Sequence, residues 1–122
     1  MGTFQYPLEV GASETGPFVS LTAVVDTGAS YTLIPRRVLR DLGVTPRGRQ
    51  QFLVADGRMI EREIGFVYIR LDGEVRPSVC VSGDDDGTAL LGAITLEAFG
   101  LTVDPVNRRL VPLPYLYLLR TG

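Results

Sequence analysis

Histidine is absent from this 122-residue chain, and so is lysine. Without His there is no Ser–His or Cys–His nucleophile pair and no His-ligated metal site. Without Lys there is no Schiff-base residue and no Walker-type phosphate lysine. All 12 basic residues are Arg, a bias that codon usage explains as well as function does. One cysteine excludes an internal disulfide. Cys80 sits between Val79 and Val81 in a strand-like run and reads as a buried, inert thiol. Residues 1–8 lack the basic-then-apolar order of a signal peptide. The most apolar stretch, 110–119, is broken by Pro112 and Pro114 and is too short to span a bilayer. These absences predict a soluble protein of a reducing, cytoplasmic compartment, with no membrane partner. They also leave carboxylates as the acid–base groups of any enzyme built on this chain.

What remains is ordinary in bulk. Hydrophobic residues make up 45% of the chain, and 12 basic against 14 acidic residues leave a net charge of -2. That balance gives no reason to expect nucleic acid as a partner. The length suits one domain, residues 1–122.

One stretch stands out. The apolar run 21–25 delivers Asp26 into a turn of small residues, Thr27-Gly28-Ala29-Ser30. A buried strand that ends on a carboxylate and a glycine positions a charge. The same residues also suit a strand-ending turn in which Asp26 caps a backbone N–H.

Around it the chain reads as short strands. Residues 4–10 and 17–25 form the first two, joined by a polar turn. A β-prone 31–34 precedes Pro35, which suits the first turn of a helix. Val38, Leu39 and Leu42 share one face of that helix, and Gly43 closes it. Residues 50–55 and 59–71 form a hairpin around Asp56-Gly57, a two-residue turn with positive φ expected at both positions. Gly65 within the returning arm suggests a bulge. A second hairpin turns at Asp72-Gly73 into strand 74–82. The acidic loop 83–87 and Ala89-Leu90-Leu91-Gly92 follow, then a helix through Phe99 closed by Gly100. Strands 101–104 and 108–111 flank a turn at Asp104-Pro105. A weak internal echo links Val24-Val25, the first helix and Gly43 with Leu90-Leu91, the second helix and Gly100. Asp84-Asp85-Asp86 lacks the spaced ligands of a calcium loop and reads as a solvated turn, as do Arg36-Arg37 and Arg108-Arg109 as solvated faces.

Three features together resemble the retropepsin-like, single-domain aspartic proteases. They are Val24-Val25-Asp26-Thr27-Gly28-Ala29, a hairpin over 52–66 turning at Asp56-Gly57, and Leu90-Leu91-Gly92 leading into a helix. Order and spacing agree over about 21–105. Ala29 is closer to single-domain members than to two-lobed pepsins. Ser30 stands where viral members often have Asp, the hairpin is poorer in glycine, and the tail 113–122 has no counterpart.

The resemblance implies a mainly β, closed, barrel-like fold with one or two short helices, active as a two-fold homodimer. It implies an aspartic endopeptidase that hydrolyses peptide bonds through a water activated by the paired Asp26 carboxylates. Thr27, Gly28 and Ala29 would support the active-site loop, with the Thr27 hydroxyl bonding to the partner chain. Ala55, Asp56, Gly57, Arg58 and Met59 would form a flap over a peptide or protein substrate in extended conformation. Leu90, Leu91 and Gly92 would pack against the loop. No metal or cofactor is implied. Ile34, Val54, Met59, Ile60 and Ile94 are candidates for the pocket wall. The alternatives are a non-catalytic dimerisation or peptide-binding module of the same fold and, more weakly, a metal-binding domain using the acidic loop. On local sequence alone, the hairpin also suits a surface turn, and the two leucines a core strand.

Overall fold

A computed structural model of the chain describes residues 3–116. Hairpin β1 (Phe4–Gly11) and β2 (Phe18–Val25) opens the chain, in register from Phe4 opposite Val25 to Gly11 opposite Phe18. Strand β3 (Thr32–Ile34) and helix α1 (Arg36–Leu42) follow, then β4 (Gly48–Leu53), β5 (Met59–Leu71) and β6 (Glu74–Ser82). Strand β7 (Ala89–Leu91), helix α2 (Ala93–Ala98), β8 (Leu101–Asp104) and β9 (Arg109–Pro112) complete it.

The sheet order β1-β2-β7-β3-β6-β5 closes on itself, because β5 pairs back onto β1 from Glu9–Arg70 to Gly11–Tyr68. The expected mainly β, closed barrel with two short helices is what forms. Period-two alternation fills it: Leu8, Val10, Ala23, Val25, Val67, Ile69, Leu71 and Cys80 are buried. At the closing seam Arg70 meets Glu9 at 2.6 Å and lies 4.1 Å above the Phe18 ring. The second hairpin turns as expected, with positive φ at both Asp72 (52°) and Gly73 (86°).

Strand β5 is longer than the barrel needs. Its second part, 64–71, pairs with β6, while its first part, 59–64, pairs with β4 outside the ring. The β4–β5 hairpin therefore projects from the barrel wall.

Two local expectations fail. The hairpin tip has positive φ at Gly57 (90°) and not at Asp56. Val54 N–H donates to the Arg58 carbonyl and Gly57 N–H to the Val54 carbonyl, each at 2.9 Å. That is a three-residue loop ending in a left-handed glycine. Gly65 makes no bulge, for it stays in register opposite Cys80. A Cβ there would stand 3.4 Å from Val44 Cγ1 and 3.6 Å from the Thr45 carbonyl. Both are ordinary van der Waals distances, so the 43–47 segment packs against Gly65 without requiring a glycine there.

The internal echo is present in a different frame. Strands β3 and β7 share a buried, half-buried, buried pattern, and each feeds a helix closed by a left-handed glycine, Gly43 (φ 77°) or Gly100 (φ 66°). They cross antiparallel at Leu33–Leu90. Strand β2 runs parallel to β7, and β6 runs parallel to β3. Asp26 N–H donates to the Leu91 carbonyl at 3.1 Å, and Gly83 N–H to the Ile34 carbonyl at 2.8 Å. The internal mate of Asp26 is thus Gly83, and the first copy begins at Leu33-Ile34, not at Val24-Val25.

Strand β9 includes Pro112 and, among the described residues, pairs only with β8. A two-stranded ribbon leaves its outer edge open, where a missing N–H costs nothing. Of the tail, 117–122 lies outside the described residues. No helix among the described residues is long and apolar enough to cross a membrane.

Burial pushes the Cys80 thiol up to about 12, so thiolate is scarce at neutral pH. Ellman's reagent at pH 8 should leave the folded protein unlabelled over minutes and label it fully in denaturant. Rapid labelling of the native state would contradict the packing of β6.

Candidate active site

Asp26 emerges where β2 ends, half-buried, with its backbone N–H already bound to β7. Its side chain folds back on the turn: Gly28 N–H donates to Oδ1 at 2.9 Å, and Ala29 N–H donates to the Asp26 carbonyl at 3.1 Å. Gly28 suits this because an added Cβ would stand 3.1 Å from Oδ1. Thr27 is exposed at the rim.

The loop is pinned from below by α2. The Ala29 carbonyl accepts from Ala93 N–H at 2.8 Å, and the Ser30 carbonyl from Ile94 N–H at 3.0 Å. Helix α2 has no side-chain cap, so the loop backbone satisfies donors the helix cannot. This contact needs Gly92. A Cβ on it would lie 2.5 Å from the Tyr31 carbonyl oxygen and 3.0 Å from that of Ala29. Leu91 is fully buried behind the loop.

A file of buried hydroxyls continues the support. Gly92 N–H donates to Thr32 Oγ1 at 3.1 Å; Thr32 and Thr95 hydroxyls lie 2.6 Å apart, and those of Thr95 and Ser78 2.8 Å apart. Ser78 Oγ donates to the Val79 carbonyl at 3.0 Å. Each hydroxyl has one proton, so the direction is fixed: Thr32 gives to Thr95, and Thr95 to Ser78. Thr32 and Thr95 are both 0% exposed; satisfied in this way, they hold β3, β6 and α2 in one arrangement.

Two cavities flank the loop. Asp26 and Thr27 open onto one of about 260 Å³ shared with Phe4, Thr102, Val103 and Pro105. The other, about 470 Å³, begins at Gly28 and Ala29 and runs beneath the β4–β5 hairpin. Leu33, Phe52, Ile60, Val81 and Leu90 give it an apolar lining, and Arg62 and Asp84 bring its charges. Tyr31 packs edge-on against Phe52, ring centres 5.7 Å apart, joining loop to hairpin.

Of the residues expected to wall a pocket, Val54 and Ile60 do so, while Ile34 is in the core and Met59 and Ile94 are exposed outside it. The tip residues Ala55, Asp56, Gly57, Arg58 and Met59 are all exposed, and none lines the cavity. Arg58 holds its neighbour Asp56: its backbone N–H, then its guanidinium, draw that carboxyl below the usual range. The sequence reading missed Arg62, Leu33, Phe52 and Val81. Alternation along β5, which sets Ile60 and Arg62 on one face, was the available signal. The hydroxyl file had none, since its members are far apart in the chain.

The acidic loop faces arginines. Asp84 meets Arg62 at 3.6 Å, Asp85 meets Arg40 at 3.6 Å, and Asp86 meets Arg37 at 3.0 Å. Among the described residues no group of three or more His, Cys, Asp or Glu is placed to hold a metal ion.

Comparison with known proteins gives the architecture its family. A family model described as aspartyl protease matches residues 12–94, well over half of the chain. The chain belongs to the aspartyl protease family. No curated protein sequence matches it. Among solved structures, EIAV protease complexed with the inhibitor HBY-793 is 17% identical with a TM-score of 0.60, over 81% of this chain and 89% of that one. The retroviral protease-like domain of Ddi1 from Leishmania major is 20% identical, TM-score 0.59, over 94% and 91% of the two chains. A retropepsin-like aspartic protease from Rickettsia conorii is 21% identical, TM-score 0.54, over 85% and 89%. At these identities the likeness establishes the fold, which is retropepsin-like.

Thr95→Val breaks the hydroxyl file without changing side-chain size and should cost about 1–3 kcal/mol, read from the urea midpoint. Gly92→Ala should cost more, because backbone must move. An unchanged midpoint for Gly92→Ala would show that α2 does not hold the loop.

Proposed function

We propose that this aspartyl protease family member is an endopeptidase acting as a two-fold homodimer, with Asp26 of each chain supplying one of two catalytic carboxylates. The observation that carries the reading is Asp26 itself: a half-buried carboxylate at a strand end, its loop pinned by α2, beside an apolar cleft under a projecting hairpin.

The chemistry follows from pairing. Two carboxylates in one site do not both ionise easily, so they share a proton. The ionised oxygen takes a proton from a water, and the protonated carboxyl donates to the scissile carbonyl. No covalent intermediate and no metal is needed. One chain carries one Asp-Thr-Gly, and the internal mate of Asp26 is a glycine, Gly83. The second Asp26 therefore comes from a second copy, with the site on the dimer axis. On this reading the hydroxyl of Thr27, which is exposed, bonds to the partner's loop. The Gly28 N–H keeps each carboxylate oriented.

The substrate is a peptide or protein segment lying extended in the cleft, with strand-like hydrogen bonds. The β4–β5 hairpin closes over it as a flap and excludes water. Residues 1–122 act as one such domain, and the single buried thiol suits a reducing, cytoplasmic setting.

The test compares wild type with Asp26→Asn on a mixed peptide library from acidic to neutral pH, with dimerisation followed by sedimentation. The substitution should lower cleavage by roughly 10²–10⁴-fold while both proteins still dimerise. Cleavage that survives Asp26→Asn sinks the mechanism. Dimers of wild type that cleave nothing leave the non-catalytic peptide-binding module in its place.

A further inference from the structure

Besides the uncharged polar Ser30, Tyr31 and Gln51, the cleft lining carries one pair of charges, Arg62 and Asp84, and that pair is unequal. Along β5, Glu61 and Glu63 face Arg49 at 3.2 and 3.8 Å. Alternation sets Ile60 and Arg62 on the other face, where both line the cavity. The Arg62 side chain is 36% exposed; its partner Asp84, 3.6 Å away, is 82% exposed. An ion pair so long and so wet contributes little. The rest of the acidic loop is tied elsewhere, with Asp85 and Asp86 held by Arg40 and Arg37 of α1. Asp84 can therefore release Arg62 into water with little loss. Arg62, in contrast, is carried by the hairpin strand on the face that lines the cleft, and its side chain is the more covered of the two.

We infer that Arg62 makes this half of the cleft a subsite for an acidic side chain, Asp or Glu, of the bound peptide. The inference rests on the peptide-cleft reading above. A peptide that covers the cavity removes water from Arg62. A neutral side chain there leaves a guanidinium covered and poorly paired, which is costly. A carboxylate meets its fork in two parallel hydrogen bonds, strengthened as the site dries. A basic side chain would approach the covered cation to reach a carboxylate that solvent already screens. Discrimination thus comes as much from rejecting Gln and Lys as from binding Glu. In a two-fold dimer the subsite occurs twice, so acids are selected on both sides of the cleaved bond.

The experiment separates this inference from the protease reading. Extended octapeptides, with each position carried as Glu, Gln or Lys in turn, are bound to Asp26→Asn protein and measured by fluorescence anisotropy. The same peptides are offered to wild type for cleavage. At one position, or a symmetric pair, Glu should bind at least roughly tenfold more tightly than Gln, the size of one charge-assisted hydrogen bond. Adding Arg62→Gln should collapse that ratio to about one, and Arg62→Glu should turn the preference to Lys. Asp84→Asn, an exposed change that folding tolerates, should raise the Glu ratio. The inference is overturned by a ratio that Arg62→Gln leaves intact, by a preference for Lys in the parent, or by absence of peptide binding. Selection of Glu without cleavage by wild type keeps the subsite and rejects the protease; cleavage indifferent to Glu does the reverse.

Discussion

Among the described glycines, Gly92 leaves the least room for a Cβ, because it passes beneath the backbone carbonyls of Ala29 and Tyr31. Much of the site depends on it. Only a residue without Cβ lets the start of α2 come within hydrogen-bond reach of the Ala29 and Ser30 carbonyls. Those two bonds serve both parties: the helix gains acceptors for donors it cannot satisfy, and the loop gains a rigid floor. Asp26 is held from the other side by the Leu91 carbonyl, one residue before the same glycine. A carboxylate at the end of a strand would otherwise swing with its turn. Here its backbone is fixed by β7 and its side chain by the Gly28 N–H.

The charged groups divide by task. The pairs of Arg37, Arg40, Arg49 and Arg58 are exposed and add little to stability. Their effect is positional: they orient the acidic loop, the outer face of the hairpin and its tip. Arg70 differs, since it joins an ion pair to Glu9 with a ring contact at the seam where β5 meets β1. The absence of Lys suits this use, because the guanidinium fork fixes direction where an ammonium fixes only distance.

Legibility in the sequence followed the range of the interaction. The Asp72-Gly73 turn, the helix closed by Gly43 and the Asp26-Thr27-Gly28 turn are local chemistry, and each forms as its residues suggest. Gly65 misled because a glycine within a strand need not mark a bulge: it stays in register opposite Cys80, with Val44 of another segment at ordinary contact distance. At Asp56 the loop took three residues, which the Asp-Gly pair alone does not distinguish from two. The repeat was seen in the wrong frame because Val24-Val25 and Leu90-Leu91 are alike in composition, whereas the matching of β3 with β7 is one of pairing. Thr32, Ser78 and Thr95 meet only after the barrel closes. The cleft lining mixes residues from five strands and three loops, which no window along the chain contains.

Strand β5 belongs to two bodies at once. From Met59 to Ile64 it is half of a projecting two-stranded ribbon; from Ile64 to Leu71 it is a stave of the barrel. Its 13 residues extend about 40 Å at the usual rise, and its two ladders share one residue, Ile64. Ile64 is a rung of both, opposite Gly48 in the ribbon and Val81 in the barrel, and its carbonyl accepts from Arg47 N–H at 2.8 Å. Ribbon and barrel therefore share one continuous strand, and Arg62, two residues outboard of that shared rung, holds its charge on the ribbon while its partner Asp84 belongs to the loop after β6, so their ion pair spans the two bodies.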